Sequence, residues 1–407
     1  HIDWTGVLAA IGAPRAKRIN VVNINALTKI DAILAATPDD ALRVYFDYKY
    51  ADSLGPGLSS GIPGLPEDLA DESAKIICDI TLGMGAPGLV MERFVEMAVD
   101  PKSERLAKAM TRSIFRAFEK RLAANDFLDA ATRIEAIGKI RGMRVTPLRG
   151  SVDSFEGVAF SPDSYLKNWE AMMMHRRSSS FTRIDKAVDR TALEGGLDAN
   201  AFYAPDQNRI ELQPGILHGV FFGLAAPRVL NFGALGWVIG HEITHGFDNS
   251  GRLFDARGTR RDWWSLGVAQ SFDEKSMCFI EQYSAFEVPE AIDPETQLPR
   301  HIDGDLTLGE NIADNGGLRV AYDAAEPYFK SGEPTAGFSP EQQFFIAGAQ
   351  TWCGNMGAGF AEKVLGDVHA PNKARVNVTM SNFDRFASAF QCAPSDKMVA
   401  KNACKIW

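Results

Sequence analysis

The chain has 407 residues, 45% hydrophobic and 23% charged, the composition of an ordinary globular protein with room for two or three domains. Its net charge of −9 argues against a nucleic-acid partner, and no apolar run reaches the roughly 18 residues of a membrane-spanning helix. The five cysteines, Cys78, Cys278, Cys353, Cys392 and Cys404, show no C-x-x-C spacing that suggests a cysteine metal site, and in an exported protein their odd number implies a free thiol or a partner outside this chain.

The first part reads as helical. Thr37-Pro38-Asp39-Asp40 is a helix start, with a capping hydroxyl, a proline in the first turn and acids at the positive end of the dipole, and the helix is predicted to run to about Ala51. Gly/Pro-rich loop sequence follows from Leu54 to Gly64, then helices over about 67–84 and 87–99. Asp100-Pro101 opens a long helix with an apolar stripe at Leu106, Met110, Ile114, Phe118 and Leu122, and a further helix covers about 129–140. The texture changes near Arg144. A strand is expected over 155–160 and a helix over 165–176, with Met172-Met173-Met174 filling core. Asn200 to Tyr203 and Arg209 to Leu212 read as strands paired across the turn Pro205-Asp206-Gln207-Asn208. Such a strand is either a plain sheet edge or a template that an extended peptide joins.

Residues 231–247 form the next predicted helix. Its Gly233, Gly236 and Gly240 weaken helix propensity, so packing must hold it, and Gly246 marks its end. This helix carries H-e-x-x-H as His241-Glu242-Ile243-Thr244-His245. Residues four apart share one helical face, so both imidazoles can reach one zinc ion, and Glu242 can reach a metal-activated water without being a ligand. A helix over 262–283 and a loop over 288–304 come next. Glu310 and Asp314, again four apart, follow in Gly309-Glu310-Asn311-Ile312-Ala313-Asp314-Asn315-Gly316-Gly317. A zinc site of this kind needs a third protein ligand and an open position. A third histidine six residues past His245 is excluded because Gly251 stands there, so Glu310 is the candidate, with Asp314 accepting a hydrogen bond from a ligand imidazole. A helix over 341–354 carries Trp352 and Cys353. His369 and Arg375 are two cationic donors across the turn at Pro371, suited to an oxyanion and a peptide carbonyl, or to ordinary surface loop chemistry.

With these motifs in hand, the chain resembles the neprilysin and endothelin-converting-enzyme family of zinc endopeptidases. The resemblance rests on Asn200 to Tyr203, Gly236 to Asp248, Gly309 to Gly317, Trp352 to Gly354, Asp367 to Arg375 and Cys404 to Trp407, all in the family's order. It is dense over 150–407 and looser before that. It implies a mainly α (α+β) fold, with residues 1–150 an incomplete helical lid or linker domain and residues 151–407 a thermolysin-like zinc catalytic domain. It implies one zinc ion held by His241, His245 and Glu310, Glu242 as general base, His369 as transition-state donor, and Asp248 supporting the ligands from behind. Asp314 corresponds to the acid assigned either to proton donation or to orienting a ligand histidine, the second being physically safer beside an imidazole. Asn200, the backbone of Ala201, and Arg375 are implied to hold substrate, and Phe221, Val238 and Trp352 to line the pocket for the residue after the scissile bond. Trp237 stands where the family usually has a flexible residue, and a shallower pocket is expected.

The resemblance further implies a Cys278–Cys404 disulfide and upstream partners for Cys78, Cys353 and Cys392, hence an N-terminal fragment or second chain of the same precursor linked through those three. No charged-then-apolar leader opens the chain at His1, so an export signal is expected to be removed or upstream. A secreted, periplasmic or extracellular location fits the disulfides. The implied reaction is peptide hydrolysis on the amino side of apolar residues. The rival expectation is a zinc-binding peptide receptor of weak or no activity. An aminopeptidase is disfavoured because G-x-M-E-N is absent.

Overall fold

The computed structural model of the chain describes residues 2–11, 13, 23–54, 82–83, 85–146, 148, 154–182, 186 and 196–407. Cys78, most of the Gly/Pro-rich loop and most of the helix expected over 67–84 lie outside them. Two compact units emerge, His1–Arg93 with Ser151–Leu197, and Phe94–Gly150 with Asp198–Trp407. This division differs from the expected boundary at 150/151, because the long helices after Asp100 contribute their buried faces to the core of the larger unit.

In chain order the helices are α1 (Trp4–Ala10), α2 (Ile24–Ala36), α3 (Asp39–Leu54), α4 (Pro87–Ala98), α5 (Pro101–Ala124) and α6 (Ala130–Gly142). The strand β1 (Arg144–Val145) and the helix α7 (Tyr165–Phe181) follow. Within the smaller unit, Ala86, Trp169 and Met172 form a small core joined by Phe155, Tyr165, Leu166 and Met173. Met174 points outward, so only part of the methionine run fills core. Residues 155–160 are not the expected strand. The Val158 N–H donates to the Phe155 carbonyl at 3.0 Å, and Gly157 takes a φ of 80°, so the chain turns there instead of extending.

The larger unit begins within α4 at Phe94, and α5 is its first complete helix. Asp100 caps it by accepting from the Lys102 N–H, and Met110, Ile114, Phe118 and Leu122 are buried along one face, with Leu106 half-buried. Next come β2 (Ala201–Ala204), β3 (Arg209–Leu212) and α8 (Trp237–His245), the last entered through a helical turn at Arg228–Asn231 and a π-helical turn at Phe232–Gly236. Then follow α9 (Leu266–Ser284), β4 (Glu287–Ile292), β5 (Pro299–His301), α10 (Leu308–Phe329), α11 (Pro340–Thr351), α12 (Ala358–Val364), α13 (Asn372–Ser381) and α14 (Asp384–Ala389). The first sheet has the order β1-β3-β2, with β1 parallel and β2 antiparallel to β3, so β2 is an edge among the described residues. The stretch expected as a loop over 288–304 contains the β4–β5 hairpin. Pro289 interrupts its strand pattern in the sequence, but Val288 and Ala291 are buried and Asp293 nucleates the turn by accepting from the Glu295 and Thr296 N–H groups.

Packing of α8 against α10 positions everything else. A Cβ on Gly240 would sit 2.6 Å from the Gly317 carbonyl oxygen, and one on Gly317 would sit 2.5 Å from the His241 nitrogen. The two backbones therefore touch, which only glycine permits at those positions. Arg121 of α5 grips Asp323 of α10 through two nitrogens at 2.6 and 2.9 Å. The C-terminus closes the core. Trp407 packs among Phe118, Phe247, Trp264 and Phe272, and Cys404 forms the expected disulfide with Cys278.

Candidate active site

His241 and His245 leave α8 on the face toward α10, and their Nε2 atoms stand 2.9 Å apart. Glu310, in the first turn of α10, brings its Oε2 to 3.1 Å from His241 Nε2 and 3.4 Å from His245 Nε2. Three donors at about 2.0–2.1 Å from one tetrahedral ion would lie about 3.3 Å from each other. Two further observations fit a cation. Glu310 Oε2 is buried yet accepts no well-aligned hydrogen bond, so it faces the same point as the imidazole lone pairs. Both Nδ1 atoms are engaged elsewhere, His241 with Asp314 Oδ1 at 2.8 Å and His245 with Asp248 Oδ2 at 2.6 Å, which turns each Nε2 lone pair inward. Two imidazoles and one carboxylate suit zinc better than a hard, all-oxygen cation.

Electrostatics follow from this crowding. Burial disfavours the imidazolium form of both histidines, but the carboxylates of Asp314, Asp248 and Glu310 outweigh it and raise both pKa values. Burial likewise opposes the Glu310 carboxylate, and the two imidazoles overcome it, holding its pKa below the ordinary range. Glu242 is different. Burial pushes its carboxyl up, and its Oε2 has no hydrogen-bond partner. It is the basic group left free beside the donor set.

Asp314 is fully buried, with Arg375 donating to it through Nε at 2.8 Å and Nη2 at 2.7 Å. The Arg375 guanidinium also lies 3.8 Å over the Trp352 ring. Arg375, expected as a substrate clamp, thus commits two of its three nitrogens to Asp314. Trp237, expected beside the pocket, is 1% exposed, and its indole N–H donates to the Asp314 carbonyl at 2.9 Å. A Cβ on Gly348 would meet that indole at 2.8 Å, so the glycine makes room for it.

The donors open onto a cleft of about 1070 Å³, lined by Asn200, Ala201, Phe221, Trp237, Val238, Trp352, His369 and Arg375 among others. Every candidate substrate residue from the sequence therefore meets the ligands in one place. Asn200 is exposed at the start of β2, its Oδ1 accepting from the Ala201 N–H at 2.9 Å. His369 Nε2 is 3.3 Å from Glu310 Oε2. Asp367, to which the sequence reading gave no role, holds that imidazole, accepting from both the Nδ1 side and the His369 backbone N–H at 2.8 Å. The D-x-H spacing, an aspartate turn closing on a histidine two residues on, was the available signal.

A donor set of this kind, on two helices in contact and beside an edge strand, places the chain among proteins with the thermolysin-like zinc-peptidase fold. The comparisons narrow this further. Residues 200–406 match one model of peptidase family M13 and residues 1–146 match another, so the chain belongs to peptidase family M13. It is 39% identical to human membrane metallo-endopeptidase-like 1 over 262 residues, covering 63% of this chain and 33% of that protein. It is 35% identical to neprilysin-1 of Caenorhabditis elegans over 335 residues, covering 77% of this chain and 43% of that protein. Among solved structures, the Mycobacterium tuberculosis zinc metalloprotease Zmp1 in complex with an inhibitor matches with a TM-score of 0.73 and 26% identity, over 85% of this chain and 52% of that one. The chain thus spans between a third and about half of the curated relatives it matches.

Proposed function

We propose that this chain carries the catalytic centre of a zinc endopeptidase, with His241, His245 and Glu310 holding one zinc ion. The observation that carries the reading is the convergence of those three donors beside the unpartnered carboxylate of Glu242, inside a cleft edged by β2. A zinc ion held there supplies Lewis acidity, polarising a carbonyl oxygen and acidifying water. Glu242 takes the proton of the attacking water and returns it to the leaving nitrogen. His369, oriented by Asp367, donates to the developing oxyanion. Asp314 serves as an orienting group, since its Oδ1 engages the His241 Nδ1 while Arg375 holds it in place. Asp248 does the same for His245. An extended substrate pairs with the free edge of β2 at Ala201, with Asn200 and the remaining Arg375 nitrogen binding its backbone.

Phe221, Val238 and Trp352 line the pocket for the residue after the cut, which sets cleavage on the amino side of apolar residues. The rigid Trp237 indole behind them shifts preference toward smaller ones. Trp237→Met should move the preference to larger side chains, and an unchanged preference counts against this assignment. The decisive test is Glu242→Gln, assayed with a quenched peptide with and without chelator. It should retain about one zinc per chain and lose cleavage by at least 10³-fold. Retained cleavage removes Glu242 as base, while a wild type that binds zinc and peptide but never cleaves selects the receptor reading.

The Cys278–Cys404 disulfide supports an oxidising, extracellular or periplasmic setting. A second chain linked through Cys78, Cys353 and Cys392 is kept as part of the proposal. Cys353 and Cys392 carry free thiols here, and equal mobility on reducing and non-reducing gels would remove the linked chain.

A further inference from the structure

Lys139 lies on α6, far from the zinc motifs in sequence, and is fully buried. Buried lysines are rare unless their amine has fixed partners. Here Nζ donates to the Gly251 carbonyl at 2.7 Å and to the Phe254 carbonyl at 2.6 Å. The rings of Phe247, Tyr203 and Trp263 surround it, with centroids at 5.4, 5.9 and 5.9 Å. These two carbonyls bracket the 3₁₀ turn Gly251–Leu253, which follows the zinc-motif helix.

That turn is coupled to the metal site by two contacts. Asp248 Oδ1 accepts from the Ser250 N–H at 2.8 Å and the Gly251 N–H at 2.6 Å, while Oδ2 of the same carboxylate engages His245 Nδ1. Gly251 also lies close against the His245 backbone, for a Cβ there would fall 1.7 Å from the His245 carbonyl oxygen. The turn therefore holds the carboxylate of Asp248 that engages His245, and packs against the His245 backbone.

We propose that Lys139 is a positioning residue of the metal site, its amine holding the turn from which Asp248 grips His245. The inference rests on the zinc reading above and extends it to a residue on a helix that contributes no ligand. Lys139 acts from behind, through two carbonyls, one carboxylate and one imidazole. Burial lowers its pKa to about 7, against the opposing pull of Asp248 and Asp255, and an amine keeps two N–H donors for the two carbonyls on either side of that value.

The test is zinc affinity, measured by competition with a chromophoric chelator at a temperature well below unfolding, for the wild type, Lys139→Met, Asp248→Ala and the double variant. Loss of a partner that orients a metal ligand typically costs about 10- to 100-fold in affinity. Lys139→Met is expected to weaken zinc by about 10-fold or more. The double variant is expected to bind within about 3-fold of Asp248→Ala alone, because the lysine acts through that carboxylate. A wild type that binds no zinc removes the metal reading itself. A wild type that binds zinc, with Lys139→Met binding equally well or with the two losses multiplying, overturns the role of Lys139 alone. Should the variant fail to fold, hydrogen exchange on the metal-free wild type decides. The Ser250 and Gly251 amides are expected to exchange as slowly as those of α8, and exchange at loop rates overturns the proposal.

Discussion

The helices α8 and α10 and the helices α2 and α3 are all rich in apolar residues, yet they end in opposite states. Along α10, Ile312, Leu318, Val320 and Ala321 are buried, and along α8 even the proposed ligand His241 and the proposed base Glu242 are. In α2 no residue is buried, and Ile33 there is 63% exposed, as Val44 in α3 is 69% exposed. Small residues set how closely α8 and α10 approach. At Gly240, Gly316 and Gly317 the α8–α10 crossing has no side chains to hold the backbones apart, so the neighbouring large side chains interlock around the contact. Neither α2 nor α3 contains a glycine. An apolar stripe states that a helix can be buried, while a matched pair of glycines states against what.

Breaking the close contact should give the largest effect. Gly317→Ala puts a methyl 2.5 Å from the His241 backbone nitrogen, which cannot swing away as a side chain would. The expected cost is about 3 kcal/mol in urea unfolding of the larger unit, together with weakened zinc binding as His241 moves relative to Glu310. Gly138→Ala in α6 is the matched control. A Cβ there meets nothing within 4 Å, so helix propensity alone acts and stability should rise by up to about 1 kcal/mol. If both substitutions behave alike, the close approach is not what holds the pair.

Much of this site is legible in the sequence alone, for a physical reason. The i, i+4 spacing of His241 with His245, and of Glu310 with Asp314, fixes shared helical faces whatever the tertiary structure. The β2–β3 pairing was equally readable, because the Pro205–Asn208 turn sets it locally. What stayed hidden depends on partners distant in sequence. The π-helical turn at Phe232–Gly236 leaves no periodicity to find, and Pro289 hides a strand whose pairing with β5 is made after the turn. Lys139 reads like any basic residue at the end of a helix, since its acceptors lie 112 and 115 positions away. Arg375 was read as a substrate group because nothing in its local sequence announces the buried Asp314 it pairs with.

A pH series sharpens the comparison from the polar side. Lys139 is held at a pKa of about 7, whereas an unfolded chain returns it to its ordinary value of 10.5. Between those values the unfolded state binds more protons than the folded state, so stability rises with pH. From pH 7 to 8 the gain should be about 1 kcal/mol in the wild type relative to Lys139→Met, read as the difference between two urea titrations. Tyr203, Asp248 and Asp255 are the other ionisable groups facing this amine, and Tyr203 is pushed far above that window by burial, so it stays neutral throughout. A difference between wild type and variant that does not change with pH would mean that Lys139 is charged in both states.

The smallest effect is expected on the other side of the comparison. Ile33 and Val44 have the side chains of core residues, but in this chain each already meets water over most of its surface. Replacing either by serine removes apolar area that folding does not bury, so the transfer energy is nearly the same in both states and cancels. Stability should change by less than about 0.5 kcal/mol, and the small cost of serine in a helix should account for most of it. Solubility should respond more, because exposed apolar surface promotes association between copies while contributing nothing to the fold. If Ile33→Ser or Val44→Ser instead costs 2 kcal/mol or more, those side chains are buried in solution. The contrast between the glycine-matched pair and the open helices would then fall.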